Sequence, residues 1–314
     1  MWRFAGIRTL HAIPVLIGVT FVVFGSLQLV PGDIANTLLS MFYTEERGEA
    51  LRAQLGLDKP MLVQYAIWVW NLLHGDLGQS LMLRQPVAEV LLDKIGNSLI
   101  LTGASLLIVI PVSFILGTTA ARRFRTATDR SIVFFAMLLA SLPVFWLGIV
   151  LLYLLGVNIK WFPMSGMYNM ANPGGFPDLI HHLVLPAVTT AATSVAIVTR
   201  VTRGALIDTL GQPYILSARA RGLSDFRVTY RHGVRNVMPT FANMCGLQIG
   251  YLFGGAIFTE IIFNWPGIGL LLYNAILQRD VPMVQGCILA IAVVFVLANL
   301  LADIIVYGLD VRRR

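Results

Sequence analysis

Six stretches of the chain, at about 10–30, 98–121, 131–156, 179–199, 239–263 and 284–307, are predominantly apolar and too long for soluble strands. A helix needs about 20 such residues to cross a bilayer, so the pattern predicts six transmembrane helices and an all-α membrane protein. Arg3 and Arg8 precede the first stretch in the manner of a signal peptide. Its apolar run from residue 12 to 30 is too long for that, however, and ends in Pro31-Gly32-Asp33 without a small-x-small cleavage pattern; a retained helix is expected. The polar intervals then divide the chain into an N-terminal span (1–30), an outer segment (31–97) and a five-helix core (98–314). Within the outer segment, 45–55 and 60–73 read as short helices, the second aromatic enough for a membrane interface, and Gly75-Asp76-Leu77-Gly78 reads as a turn. The interval 157–178, rich in Pro and Gly, reads as an irregular loop.

Composition agrees with a lipid solvent: 57% of the 314 residues are hydrophobic and 12% charged, against about 25% charged in soluble domains. The net charge of +7 is topological rather than a nucleic-acid footprint. Sixteen of the 23 basic residues fall on one side of a six-pass chain: Arg3 and Arg8, then Arg122, Arg123, Arg125 and Arg130, then Arg200, Arg203, Arg219, Arg221, Arg227, Arg231 and Arg235, and finally Arg312, Arg313 and Arg314. The positive-inside rule makes that side, with both termini, cytoplasmic. Cys245 and Cys287 fall inside predicted helices and read as small packing residues.

The inner interval at about 200–238 carries the most information. One short helix is expected from Gln212 or Pro213 through Arg221, with Gly222 as its left-handed C-terminal residue and Leu223 as the hydrophobic contact that follows. Ser224 then caps a second helix with Asp225 in its first turn, Arg231, His232 and Arg235 crowd its last turn, and Pro239 is expected to close it. The product is a helix–Gly–helix elbow whose Ala218 and Ala220 would let a partner's backbone approach.

The elbow sequence Tyr214-Ile215-Leu216-Ser217-Ala218-Arg219-Ala220-Arg221-Gly222-Leu223, followed by His232-Gly233-Val234-Arg235-Asn236 and Pro239, resembles the EAA coupling loop of ABC importer permeases. The version is similar to that of the dipeptide/oligopeptide/nickel family, and the likeness covers nearly the whole chain. Pro31-Gly32-Asp33, Leu55-Gly56-Leu57-Asp58-Lys59-Pro60, Gly75-Asp76-Leu77-Gly78-Gln79-Ser80, Gly254-Gly255, Glu260, Pro266-Gly267-Ile268-Gly269 and Arg279-Asp280-Val281-Pro282 follow in the family's order. Arg221, Val234 and Gln212-Pro213 depart from it conservatively, at positions where lysine, leucine and an acidic residue are frequent. The resemblance implies type I importer architecture with a small outer cap, in a bacterial inner membrane, and the first permease of a pair. It implies a second permease, two ATPases and an extracytoplasmic binding protein as partners. The chain would bind no cofactor, ATP and Mg being held by the ATPases. Peptides are the implied cargo class, with nickel chelates, glutathione or opine-like solutes as alternatives. Tyr214, Ala218, Arg219, Ala220, Arg221, Gly222, Leu223, His232, Arg235 and Asn236 are the implied coupling residues.

No Gly-x-x-x-x-Gly-Lys-Ser/Thr phosphate loop occurs in the chain, and no nucleophile–base pair has workable spacing. Glu260 and Asp303 are intramembrane acids, but near opposite faces they make no proton relay and read as hydrogen-bonded to neighbours. His181 and His182, adjacent on a helix and so about 100° apart, read as no metal site. Thr189, Thr190, Thr193, Ser194 and Thr199 give the fourth span a run of hydroxyls that suits either close helix packing or a polar translocation path. The rival readings are an ion-driven secondary transporter, which predicts inverted repeats with paired broken helices that the sequence does not display, and a membrane scaffold with no ATPase to meet.

Overall fold

In hydrocarbon every backbone N–H and C=O must find its partner within the protein, which is why long apolar stretches fold as helices. The computed structural model describes residues 2–28, 45, 49, 59–169 and 174–309, and its regular elements there are helices. They are α1 (Trp2–Gln28), α2 (Met61–Leu73), α3 (Val87–Arg122), α4 (Ala127–Ser141), α5 (Val144–Leu151, prolonged by a π-helical stretch Leu152–Asn158), α6 (Gly175–Leu210), α7 (Pro213–Ala220), α8 (Asp225–Ile262), α9 (Ile268–Leu277) and α10 (Val281–Leu309). By length and apolarity α3, α6, α8 and α10 can each cross a membrane, and α4 with α5 reaches that length and apolarity only as a pair bent by 103°, the geometry of a broken span or of a re-entrant loop. The described apolar part of α1 is Ile13–Gly25.

Helix α6 is the axis of the bundle. Its apolar window is 78% buried, against 28% for α3 and 22% for α10, so the other helices wrap it and turn their own backs outward. Three apolar clusters hold it: Leu101, Leu183, Ala187, Ala256 and Trp265 at one end, Val109, Ala191, Val198, Phe241 and Leu252 at mid-depth, and Ala121, Leu206 and Val237 at the other end. Facing away from them, Leu107, Phe134, Tyr251 and Leu301 are exposed, as suits contact with lipid or another subunit. Cys245 and Cys287 are free and buried in different clusters, on α8 and α10.

Several boundaries differ from the sequence expectation. The stretch 131–156 is not one helix: α4 and α5 meet at a 103° bend. Pro143 causes it, because the residue before a proline is driven out of helical conformation, and Leu142 is extended at ψ 130°. Helix α3 starts at Val87 and α6 runs to Leu210, both about a dozen residues beyond their apolar cores. In the outer segment α2 matches the expected 60–73, whereas the expected helix at 45–55 falls outside the described residues except for Glu45 and Glu49. Tyr65 and Trp68 of α2 pack on Phe24 of α1, and the Tyr65 hydroxyl meets that of Thr20 at 2.9 Å.

Two buried carboxylates organise the end of the bundle opposite α7. Glu260, near the end of α8, accepts hydrogen bonds from Ser98 Oγ on α3 (2.6 Å) and from the backbone N–H groups of Gly269 (2.7 Å) and Leu270 (3.3 Å), the opening turn of α9. Ser98 Oγ in turn accepts from Ile268 N at 2.9 Å. The expected local bonding of Glu260 is thus a helix cap supplied from a neighbouring helix. Asp280 does the same for α10: it accepts from Met283 N and also from Ser80 Oγ, Leu81 N and Met82 N of the outer segment. Two motifs about 200 residues apart in sequence, Gly78-Gln79-Ser80 and Arg279-Asp280, are fastened there.

Gly267 is what lets the Glu260 carboxylate reach α9, since a Cβ at that position would lie 2.3 Å from its Cδ and Oε1. Gly267→Ala is expected to destabilise the protein by about 1–3 kcal/mol through overpacking. Glu260→Ala is expected to cost at least as much, because it strips buried donors of their acceptor at about 1–3 kcal/mol each. Thermal unfolding of both variants in detergent checks this; an unchanged midpoint for Gly267→Ala would contradict the assigned packing.

Candidate functional site

The elbow forms where α6 stops. Gln212 is extended, Pro213 takes the first helical position, where its missing N–H costs nothing, and α7 then lasts two turns. It ends as the sequence predicts. Gly222 has φ +80°, its N–H donates to Arg219 O (2.9 Å), and Leu223 N donates to Ala218 O (3.4 Å). Those paired bonds close a helix with a left-handed residue, and Leu223 folds back against Ile215, Ala218 and Val228. Leu210 joins that cluster, so the last turn of α6 seats the elbow.

The second arm of the elbow departs from the expectation. Ser224 stands at the cap position without a capping side-chain bond, and Asp225 opens a helix that does not end at Pro239. It passes through a π-helical stretch, Val228–Val234, and continues as α8 to Ile262. The π-helical stretch ends directly before Arg235, whose carbonyl is the one Pro239 leaves without an N–H partner, so the irregularity and the proline sit together. The elbow's second arm is therefore the beginning of a membrane span.

Burial divides the ten implied coupling residues. Arg219, Ala220, Arg221, Gly222, Tyr214, Arg235 and Asn236 are exposed, and Leu223 and His232 are half-buried. Ala218 is 1% exposed, packed between Ile215 and Val228, so it cannot form the shallow outer surface expected of it. Its smallness serves the inside of the elbow; Ala220 carries the outside. Tyr214 and Asn236, 22 residues apart, meet through Asn236 Nδ2 donating to Tyr214 Oη at 2.9 Å, and Asn236 Nδ2 also donates to His232 O. With Asp208, Thr209 and Gln212 they line a polar cleft of about 370 Å³ beside α7. Arg219 bridges the Gly222 turn to Asp225 at 3.1 Å; both are about half exposed, which limits that pair to about 0.2–1 kcal/mol.

The elbow lies at the same end of the bundle as the α3–α4 connection. Arg122 sits over the rings of Phe226 (5.9 Å) and Tyr230 (5.7 Å) at the start of α8. Sequence reasoning counted Arg122 only as a topological charge and overlooked Asp129, the one acid among Arg122, Arg123, Arg125 and Arg130. Asp129 is buried and held by Arg203 of α6 through two bonds, Nε to Oδ1 at 2.5 Å and Nη2 to Oδ2 at 2.8 Å. A lone acid three residues after Thr126, in capping-box spacing and surrounded by arginines, was the available signal.

The hydroxyls of the fourth span are placed mostly inward. Thr189 and Thr190 are buried and bond back to Leu185 O and Pro186 O, Thr190 also to Thr259, and Ser194 and Thr199 are buried as well. Thr193 alone of the set is half-exposed. His181 bonds Trp161 O and His182 bonds Asp178, so the two rings serve different partners.

Comparison with known proteins matches these elements to one group. The family described as "Binding-protein-dependent transport system inner membrane component" matches residues 113–314, and its N-terminal counterpart matches residues 1–102. A putative peptide permease protein of Brucella ovis is 37% identical over 315 residues, 99% of each chain. The oligopeptide transport system permease protein AppB of Bacillus subtilis is 35% identical over 97% of each chain, and the dipeptide transport system permease protein DppB of Escherichia coli is 36% identical over 94% of each. Among solved structures, a chain from inward-facing conformations of the MetNI methionine ABC transporter superposes with a TM-score of 0.57 at 16% identity, covering 70% of this chain and 96% of that one. This is the fold expected of a type I importer permease, and the full-length relatives fix the group: the chain belongs to the binding-protein-dependent transport system inner membrane components, the multi-pass permeases of ABC importers, and is a transport protein rather than an enzyme.

Proposed function

We propose that this chain is one permease half of an ATP-driven peptide importer and receives its mechanical input through the elbow at α7. The observation that carries the reading is the construction of that elbow. It is a two-turn helix, closed at both ends by its own backbone chemistry, exposed on its Arg219–Ala220–Arg221–Gly222 side and pinned on the other side by Ile215 and Ala218 to α6 and α8. A short stiff element packed against the end of one spanning helix and the start of the next is what a rocking membrane bundle needs to take work from outside the membrane. Lacking a phosphate loop of its own, the chain relies on two separate ATPases to hold ATP and Mg and to close on the elbow.

The remaining assembly follows the relatives. Their naming as peptide and oligopeptide permeases supports peptides as cargo, and full-length alignment with DppB and AppB supports the first-permease position. A second permease completes the path, with α1 as this chain's sixth span, and an extracytoplasmic binding protein delivers cargo. The clustering of Arg122, Arg125 and Arg203 at the elbow's end supports a cytoplasmic placement of that end and of both termini. Half-exposed Thr193 is the hydroxyl of α6 retained for the translocation path; Thr189, Thr190 and Ser194 are assigned to packing.

Purification from native membranes is expected to bring down an ATPase carrying a phosphate loop, and recovery of this chain as an isolated homo-oligomer would refute the reading. A β-branched residue at φ +80° costs about 1–2 kcal/mol. Gly222→Val is therefore expected to disfavour the native turn roughly five- to thirty-fold and, by displacing α7, to reduce ATPase retention and uptake while the protein stays in the membrane. Retention and ATP-dependent uptake at the unaltered level would remove α7 from the coupling path. The ligand carried by the co-purifying binding protein is expected to be a peptide, read directly by mass spectrometry.

A further inference from the structure

We infer that Asp129 and Arg203 are positioning residues that make α4 move as one body with α6 and the elbow. The inference rests on the proposed coupling role of α7. Three observations carry it. The pair is bidentate, and its carboxylate is withdrawn from solvent at 3% exposure while the Arg203 side chain keeps 23%. Asp129 also accepts the backbone N–H of Arg125 at 3.0 Å, and Arg125 occupies a left-handed conformation at φ 66° in the four-residue turn between α3 and α4. One carboxylate thus fixes the shape of the turn and its attachment to α6. Arg203 lies on α6 one turn before Leu206 and two before Leu210, the residues that pack against α8 and the elbow, and its guanidinium covers the Phe124 ring at 5.4 Å.

The bend at Pro143 gives the attachment its significance. With helical continuity lost at Leu142, α5 cannot hold the direction of α4, and the inner end of α4 is set by its packing on α6 and by this pair. A displacement delivered to the elbow passes through Leu210 into α6 and from Arg203 into α4. Breaking the pair would leave the elbow attached to its ATPase while α4 lagged behind.

The test uses the complete transporter with its co-purifying ATPase, Cys245 and Cys287 replaced by serine, and spin labels at Met137 on α4 and Asp208 on α6. In the otherwise unaltered protein the α4–α6 distance is expected to be single, narrow and the same with and without ATP and vanadate. In Asp129→Asn/Arg203→Met, which removes both charges and so leaves no lone buried ion, the narrow distribution is expected to be lost and to shift with nucleotide. Arg203→Lys, which keeps the charge but not the two-point geometry, is expected to broaden it as well and serves if the double variant does not fold. A distance that already changes with nucleotide in the unaltered protein, or one that stays narrow in the variants, overturns the inference. The coupling role of α7 is judged separately by ATPase retention in Gly222→Val, so either idea can fail without the other.

Discussion

A helix whose end is buried inside the protein can stop only where something satisfies the backbone groups left open there, because water does not reach them. This chain meets that constraint repeatedly with a buried carboxylate. Asp129 serves the turn into α4, Glu260 the opening of α9 and Asp280 the opening of α10. Each acid also reaches a second element: Arg203 on α6, Ser98 on α3 and Ser80 in the outer segment respectively. Every break in helical continuity held in this way is therefore also a joint between segments distant in sequence. The fold is held at its two ends by charge and through its middle by apolar packing around α6.

That division explains which features were legible in the sequence. Apolar length located α3, α6, α8, α10 and the bent pair α4–α5, and the local chemistry of Pro213, Gly222 and Leu223 predicted the elbow's first arm and its left-handed turn, because those signals act over a few residues. The bend at Pro143 was written in Leu142-Pro143 but was outweighed by the apolar run on either side. The pairings of Asp129 with Arg203, Glu260 with Ser98 and Asp280 with Ser80 span 74, 162 and 200 residues, and no local rule joins such partners. Ala218 shows the same limit: a small residue on a short helix reads equally as an open surface or a tight core, and only its placement against Val228 decides.

The elbow was legible as local structure and less so in how its side chains are disposed. The residues implied for coupling do lie together, yet they separate into an outward set around Arg219, Ala220, Arg221 and Gly222, a cleft set of Tyr214 and Asn236, and an inward residue, Ala218. The fourth span's hydroxyls divide likewise: the backbone of α6 takes those of Thr189 and Thr190, that of Thr199 is buried without a hydrogen-bond partner among the described residues, and Thr193 is half-exposed. Residue type along a motif is thus no guide to which of its side chains face outward.

The length of α8 has a geometric consequence. Its 38 residues make a rod about 55 Å long, well beyond the roughly 30 Å of hydrocarbon in a bilayer. One end is the elbow's second arm and the other carries Glu260, which grips α9. Tilting such a lever by only a few degrees sweeps its far tip through several ångströms, so opposite surfaces of the membrane are mechanically joined by a single piece of secondary structure.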